Sequence, residues 1–284
     1  LGTAQSIAVY QNGMRVNESF GEVVQWDLVP DFAVNNMQVF AGGDPIFGQN
    51  AIGGAVTMEM KNGFNFEGGN LTTSGGIYGR TNEVLEYGKQ FDDVGIYLGA
   101  NFNHDAGWRD HSESYLNTVF GDVRYRPNDN TELFVNFGQA YTDIRGNGAV
   151  PLTLMDLEGR EAVYTYPDNT HNKNYTALGL SLEDDENEVE SIGAINRSNT
   201  KQNQMGLNFQ STYDYNYLNK INTLITGLTY EFSHNSFASS TELGIIQGDR
   251  GVQGTGVLLS QDSEGENIFI TNLEATTHNV AIYG

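Results

Sequence analysis

Cysteine is absent from the 284 residues, and there are only 5 prolines and 2 tryptophans. The missing thiols exclude disulfide frameworks and thiolate metal sites, and suit a chain that crosses an oxidising compartment. Cations are scarce: 14 Lys and Arg against 36 Asp and Glu give a formal net charge of −22. Phosphate recognition needs clustered Lys and Arg, so nucleic acid is excluded as a partner. Long apolar runs are missing too. No window approaches the ~18 residues of a membrane helix, and no signal peptide is visible before the strand-like run at Leu1. Mean hydropathy is −0.41. That value does not exclude a membrane, because a transmembrane barrel turns only alternate residues toward lipid.

What is present points to β structure. The 34 glycines in 284 residues are about 12%, against a usual ~7%. With 15 Tyr and 15 Phe, they indicate many strands joined by tight turns. Residues 1 to about 67 mix short strands and turns. "SIAVYQNGMRV" predicts a hairpin around Asn12-Gly13, a pair that tolerates the positive φ of a type I′ turn. "WDLVPDFAVNNMQVF" predicts a helical turn near Pro30 and a strand at Met37–Phe40. "IFGQNAIGGAVTMEM" runs from a bulky pair through small residues into a final strand. Its Phe47, Gly48, Gly53 and Gly54 form a candidate packing motif for close backbone approach.

From Asn70 the texture changes to segments of alternating character. In "DDVGIYLGANFNHD", Val94, Ile96, Leu98, Ala100 and Phe102 share one face, and Gly95, Tyr97, Gly99, Asn101 and Asn103 the other. "ELFVNFGQAY" groups Leu133, Val135, Phe137 and Tyr141. "NYTALGLSL" groups Thr176, Leu178, Leu180 and Leu182 as one strand, and "QMGLNFQSTYDY" groups Met205, Leu207, Phe209, Tyr213 and Tyr215. The second face carries Gly, Asn, Gln and Thr where a soluble sandwich would carry Lys and Glu. Strands of about ten residues, tilted ~45°, cover the apolar band of an outer-membrane barrel. Tyr115, Tyr125, Tyr141, Tyr213, Tyr215 and Tyr230 fall near strand ends, as interfacial girdles do. Connections are short at 90–94 and 126–130 and long at 104–114, 143–172 and 234–275, the alternation of tight inner turns and long outer loops.

These residues resemble a TonB-dependent outer-membrane receptor. The resemblance is carried by "SIAVYQNGMRVN", by "MQVFAGGDPIFGQNAIGGAVTMEMKNG" and by "AGWRDHS", and is strongest over residues 5–63. It implies a mainly β fold: a small α+β plug (1–67, the second half of that domain) inside a transmembrane antiparallel β-barrel (68–284, incomplete). The same resemblance implies a Gram-negative outer-membrane transporter that binds a scarce nutrient outside and imports it to the periplasm. Its first-choice cargo is a ferric siderophore or other iron chelate; cobalamin and oligosaccharide are alternatives, and a non-transporting β-rich adhesin is the rival from another class. Implied partners are TonB with its inner-membrane energising complex, the nutrient or metal chelate, and outer-membrane lipid and lipopolysaccharide. The chain departs from the family in lacking a signal, a TonB box and half a plug, and it is expected to be a fragment with eight to ten strands. A strand is expected to be missing near residue 183, where "EDDENEVE" leads into loop-like "AINRSNTKQNQ".

No catalytic constellation emerges, and no enzyme or cofactor is expected. Five histidines are scattered, and no HExxH or phosphate loop is present. The metal content is left open, with acidic loop residues such as Asp249, Asp262 and Glu264 as candidate Ca²⁺ ligands. For ligand binding, the resemblance points to plug apices and outer loops. Asn17, Glu18 and Trp26 are the first candidates, followed by Trp108, Arg109, Tyr164 and Tyr166, whose aromatic and guanidinium groups suit a chelate or a sugar.

Overall fold

The alternating segments build two sheets in the computed structural model, which describes residues 6–17, 23–43, 47–48, 51–128, 131–146, 150–163, 169–177, 180–189, 194–217, 220–247, 252–258 and 271–283. The first sheet is small. Its strands are β1 (Ile7–Gln11), β2 (Met14–Arg15), β3 (Val34–Ala41) and β4 (Gly54–Met60). Asn12 at φ 47° and Gly13 at φ 82° turn β1 into β2, the positive pair a type I′ hairpin needs. Near Pro30 the chain makes two short 3-10 turns, Trp26–Leu28 and Asp31–Ala33. The order is β2-β1-β4-β3, with β1 and β4 parallel.

The small-residue turn before β4 lets that strand slot between β1 and β3. A Cβ on Gly54 would collide with the Phe40 carbonyl oxygen, and one on Gly53 would come within 2.8 Å of Ser6 Oγ. Both glycines therefore serve the small sheet itself. A further close approach, to the larger sheet, occurs at Gly63, where a Cβ would strike the Gly95 and Ile96 backbone. Phe47 closes this end, with its ring 4.9 Å from that of Phe40 and its carbonyl accepting the Tyr10 hydroxyl at 2.5 Å. A Cβ on Gly48 would meet nothing within 4 Å; its φ of 70° is what favours glycine there.

The second sheet begins at Gly68 and has eleven strands, against the eight to ten expected. They are β5 (Gly68–Gly75), β6 (Thr81–Phe91), β7 (Val94–Asp105), β8 (Ser114–Asn128), β9 (Thr131–Gly146), β10 (Asn169–Ala177), β11 (Leu180–Val189), β12 (Ala194–Tyr217), β13 (Lys220–Ile246), β14 (Val252–Leu258) and β15 (Thr271–Tyr283). One short helix, α1 (Leu152–Glu158), precedes β10. Each strand pairs antiparallel with its successor from β5 to β14, and β13 shares its far edge between β14 and β15. Two residues separate β6 from β7, β8 from β9 and β12 from β13; the segments 76–80, 106–113 and 147–168 lie at the opposite end. The short-and-long alternation read from the sequence is thus present.

The burial pattern of this sheet is inverted. On β6, Val84 and Glu86 are buried while Leu85 and Tyr87 are exposed; on β7, Tyr97 and Asn101 are buried while Leu98 and Phe102 are exposed. On β8 and β9, Thr118, Phe120, Asp122, Arg124, Ala140 and Thr142 are buried, and Val123, Tyr125, Val135 and Tyr141 face outward. Mixed polar and aromatic side chains thus point in, and the aliphatic row points out. The small sheet supplies what the inner face packs against. One apolar cluster joins Val9, Val24, Ala33, Met58 and Met60 to Tyr97 and Phe120 of the wall.

Three sequence expectations for the second half are overturned. The stretch "NYTALGLSL" is not one strand: β10 ends at Ala177 and β11 starts opposite it at Leu180. A two-residue closure flips the parity of a strand, so Tyr175 faces Leu182 across the hairpin and the apparent alternation misleads. Residues 183–189 and 194–204 are strand and not loop: the acidic run continues β11 to Val189, and β12 starts at Ala194. This hairpin spans only the 138–146 half of β9, and β12 meets β9 directly at Ser211 and Thr131, so the described ladder has no gap near 183. Likewise, most of 234–275 expected as loop belongs to β13, β14 and β15. The reason is length. β12 and β13 have 24 and 27 residues; at about 3.3 Å each and a ~45° tilt they rise roughly 55–65 Å, over twice an apolar band of about 25 Å. A strand that long does not need an apolar face along its whole length, and the apolar-polar alternation is lost outside the part that does. The side chains of 174–182 and 205–215 lie outside the described residues.

Candidate functional site

The segment after β4, "KNGFNF" at 61–66, passes from the small sheet to the wall. Three phenylalanines dock on inward-facing wall glycines. A Cβ on Gly99 would come within 2.5 Å of the Phe32 ring, one on Gly95 within 2.7 Å of Phe64, and one on Gly88 within 2.8 Å of Phe66. Strand glycines leave notches that the rings fill. Phe66 also meets Tyr97 edge-on at 5.4 Å.

A charged network crosses the same seam. Lys61 Nζ donates to Glu86 Oε1 at 2.5 Å and to the Phe32 carbonyl at 2.6 Å. Glu86, itself 4% exposed, also accepts the Tyr97 hydroxyl at 2.8 Å and Asn70 Nδ2 at 2.9 Å. The carboxylate thus has three donors. Nearer the short-turn end, Arg124 joins Asp122 at 2.9 Å to Glu132 at 2.7 Å, and the Arg126 guanidinium lies 4.2 Å from the Phe64 ring centre. Among the described residues, one ion pair set in an aromatic seam joins the small sheet to the wall beside the chain that runs between them.

At the long-loop end the two bodies diverge and leave a cavity of about 770 Å³. The small-sheet side contributes Trp26, Asp27, Val29, Asp31 and Phe32, and the wall contributes Arg80, Asn82, Asn101, Asn103 and Thr118 among others. Trp26 is exposed and Asn101 and Thr118 are buried. Asn103 Nδ2 donates to Asn82 Oδ1 at 3.3 Å, whereas Asn101 Oδ1 and Thr118 Oγ1 have no partner. Such a volume lies within the usual range for small-molecule sites.

The structure distributes the sequence candidates unevenly. Trp26 lines the cavity. Asn17 is buried, its Oδ1 accepting Val9 N at 2.8 Å and its Nδ2 donating to Ile7 O at 2.9 Å, so it buttresses β1 and offers no free polar group. Trp108 and Arg109 sit together in the 106–113 turn, outside the cavity lining. Arg109 Nη2 donates to Ala162 O at 3.1 Å and Asp110 N to Glu161 O at 2.9 Å, docking that turn on the segment after α1. Glu18, Tyr164, Tyr166, Asp249, Asp262 and Glu264 lie outside the described residues. At the rim, His104 lies 3.1 Å from Glu113 and stacks on Tyr115 at 4.6 Å. Among the described residues no group of three or more His, Asp or Glu is placed to hold a metal. Sequence reading missed Asp27, Asp31, Arg80 and Thr118. Asn101 and Asn103 were legible as a polar face, but nothing in the chain announced what they face.

Comparison with solved structures decides the architecture. The ferric citrate transporter FecA in its unliganded form superposes with a TM-score of 0.62 at 13% identity, over 98% of this chain and 44% of that one. The ferripyoverdine receptor of the outer membrane of Pseudomonas aeruginosa gives 0.61 at 10% identity, over 97% and 42%. The siderophore receptor PiuA from Acinetobacter baumannii gives 0.53 at 14%, over 98% and 46%. The chain has the plug-and-barrel fold of TonB-dependent outer-membrane receptors. The four-stranded sheet is the plug and the eleven-stranded sheet is barrel wall. The chain spans less than half the length of these neighbours. No protein-family model and no curated protein matches the sequence.

Proposed function

We propose that this chain is part of a nutrient receptor of a Gram-negative outer membrane, which binds a small molecule from outside and imports it to the periplasm. The observation that carries this reading is the inverted wall: aliphatic side chains face outward from β6 to β9 while polar ones pack on a separate plug. Water would penalise that outward row at about 25 cal/mol per Å², whereas hydrocarbon accepts it. TonB and its inner-membrane complex supply the energy that moves the plug, and lipid and lipopolysaccharide surround the wall. A ferric chelate is the first cargo class to test, because structural neighbours are receptors for ferripyoverdine and ferric citrate. Transport needs no bond-making residue, and the chain is read as a receptor and not an enzyme. Uptake of labelled chelates by cells carrying the full-length receptor, with and without TonB, tests the reading. Loss of uptake without TonB, and leakage of small solutes when residues 1–67 are deleted, are the expected results; uptake indifferent to both would overturn it.

A further inference from the structure

Resting on that receptor reading, we infer that residues 61–66 are an anchor that stays on the wall when the small sheet shifts or opens. This puts the hinge at Met60–Lys61 and not at the start of β5. The hold of this segment on the wall is steric. The Phe64 ring occupies the notch at Gly95 and the Phe66 ring the notch at Gly88, where an added Cβ would come within 2.7 Å and 2.8 Å of ring carbons. Gly63 lies so close to Gly95 and Ile96 that a Cβ on it would strike their backbone. The Arg126 guanidinium stands 4.2 Å from the Phe64 ring centre and is paired with Glu132, which Arg124 also holds. Phe66 meets Tyr97 edge-on, with Lys61 Nζ 5.0 Å from its ring centre. In a close-packed seam, a ring seated in a glycine notch cannot slide along the wall without first lifting out.

The segment also satisfies its own backbone. Asn62 is 1% exposed; its Oδ1 accepts Phe64 N at 2.8 Å and Asn65 N at 3.2 Å, and its carbonyl accepts Phe66 N at 3.0 Å. Asn65 Oδ1 accepts Asn62 N at 2.7 Å in return. An amide taken out of water needs an acceptor, and these four keep theirs if the small sheet moves away. Links back to that sheet are Lys61 N to Ala33 O at 2.7 Å, Lys61 Nζ to Phe32 O at 2.6 Å, and Asn65 Nδ2 to Met60 O at 3.5 Å. One residue earlier, Met60 N donates to Asn12 Oδ1 at 2.9 Å and belongs to the sheet. The sheet itself meets the wall through the Phe32 ring at Gly99 and the apolar cluster around Tyr97 and Phe120. Proteins open in contiguous units, and here the attachments change between Met60 and Lys61, whose ammonium is shared by Glu86 of the wall and the Phe32 carbonyl.

Hydrogen exchange of the full-length receptor in nanodiscs, followed through a urea series, tests the anchor with neither cargo nor TonB present. Where β1 and β4 open, the amides of residues 62–66 are expected to stay at least tenfold more protected than those strands and within threefold of β7. Gly95→Ala, which drives a methyl into the Phe64 ring, is expected to bring 62–66 down to the protection of the small sheet while β7 keeps its own. Gly69→Ala, where a Cβ would lie 3.8 Å from its nearest neighbour, is expected to change neither. Cysteine is absent from these 284 residues, which suits introduced pairs joined by a short thiol-reactive tether. Tethering the Phe64→Cys, Gly95→Cys variant is expected to leave uptake within twofold of its untethered form; tethering Phe32→Cys, Gly99→Cys is expected to lower it at least tenfold. Exchange of 62–66 together with β1 and β4, or uptake affected equally by the two tethers, would overturn the anchor. Uptake by the untethered receptor that ignores TonB sinks the receptor reading instead, and the exchange result then decides the anchor alone.

Discussion

In the plug, Val9, Met58 and Met60 are buried in the manner of any soluble core. On the wall from β6 to β9 the buried residues include Glu86, Asn101, Asp122 and Thr142, while Leu98 and Val135 look outward. The two regions obey one rule, that a surface matches what it touches. In the proposed receptor the plug has water or wall around it; the wall has hydrocarbon on one side and the plug on the other. The seam between them is where rules mix: it holds an ion pair, three ring-on-glycine contacts and two polar oxygens without partners.

The comparison breaks hardest at the seam. Replacing Glu86 by alanine leaves the Lys61 ammonium facing Phe32 O and the Phe66 ring without its counter-ion. Removing one partner of a buried pair costs about 3–5 kcal/mol. The expected outcome is a plug that opens to hydrogen exchange and protease while the wall stays protected. The Glu86→Ala, Lys61→Met double variant is expected to lose less than Glu86→Ala alone, because the stranded charge is gone. Equal losses in both variants would show that the pair is not what fixes the plug.

Next in size is the outward face. Leu98→Arg places a charge on the aliphatic row of β7 and is expected to cost about 2–4 kcal/mol when the protein is folded in bilayers. Asn103→Lys, on the same strand but facing the cavity, is expected to change stability by under about 1 kcal/mol. Urea titration of both variants in liposomes sharpens the inside–outside assignment. A larger loss from the inward substitution would reverse it.

How much of this was legible follows from locality. The hairpin at Asn12-Gly13 depends on two residues whose φ preference is intrinsic, and it came through the sequence intact. So did the two faces of β7 and β9, because one residue in two is enough to define them. The first half of β12 (194–204) and the second half of β13 (234–246) were hidden because no two-residue apolar period runs through them. The β10–β11 turn was hidden because a two-residue closure leaves apolar residues on either side and only changes parity. Asn17 looked like an exposed apical group because its neighbours are polar, yet its amide is spent on the β1 backbone 8 and 10 residues away. The Lys61–Glu86 pair joins residues 25 apart on two different sheets, and neither its partner choice nor the cavity beside it has a local signature. The seam and the site are tertiary facts.

The smallest expected effect is at the rim, where a carboxylate comparable to Glu86 lies in the open. Glu113 accepts the Tyr115 hydroxyl at 2.6 Å and lies 3.1 Å from His104, with Arg145 at 4.0 Å. Hydrogen bonds from Tyr115, then His104, hold its carboxyl below the ordinary glutamate range. A carboxyl depressed on folding contributes stability that is fully present above the unfolded glutamate value of about 4.3 and is lost as pH falls through the lower folded value. The 106–113 turn is therefore expected to loosen in acid below the usual glutamate titration, and to do so less sharply at high salt because the cluster is exposed. Carbon NMR of labelled glutamate in nanodiscs reads this directly: the Glu113 midpoint should lie below that of free glutamate and move back toward it in Tyr115→Phe. A midpoint unchanged by that substitution would mean that the hydroxyl does not hold the carboxylate, and that the rim cluster is only a chance meeting of long side chains.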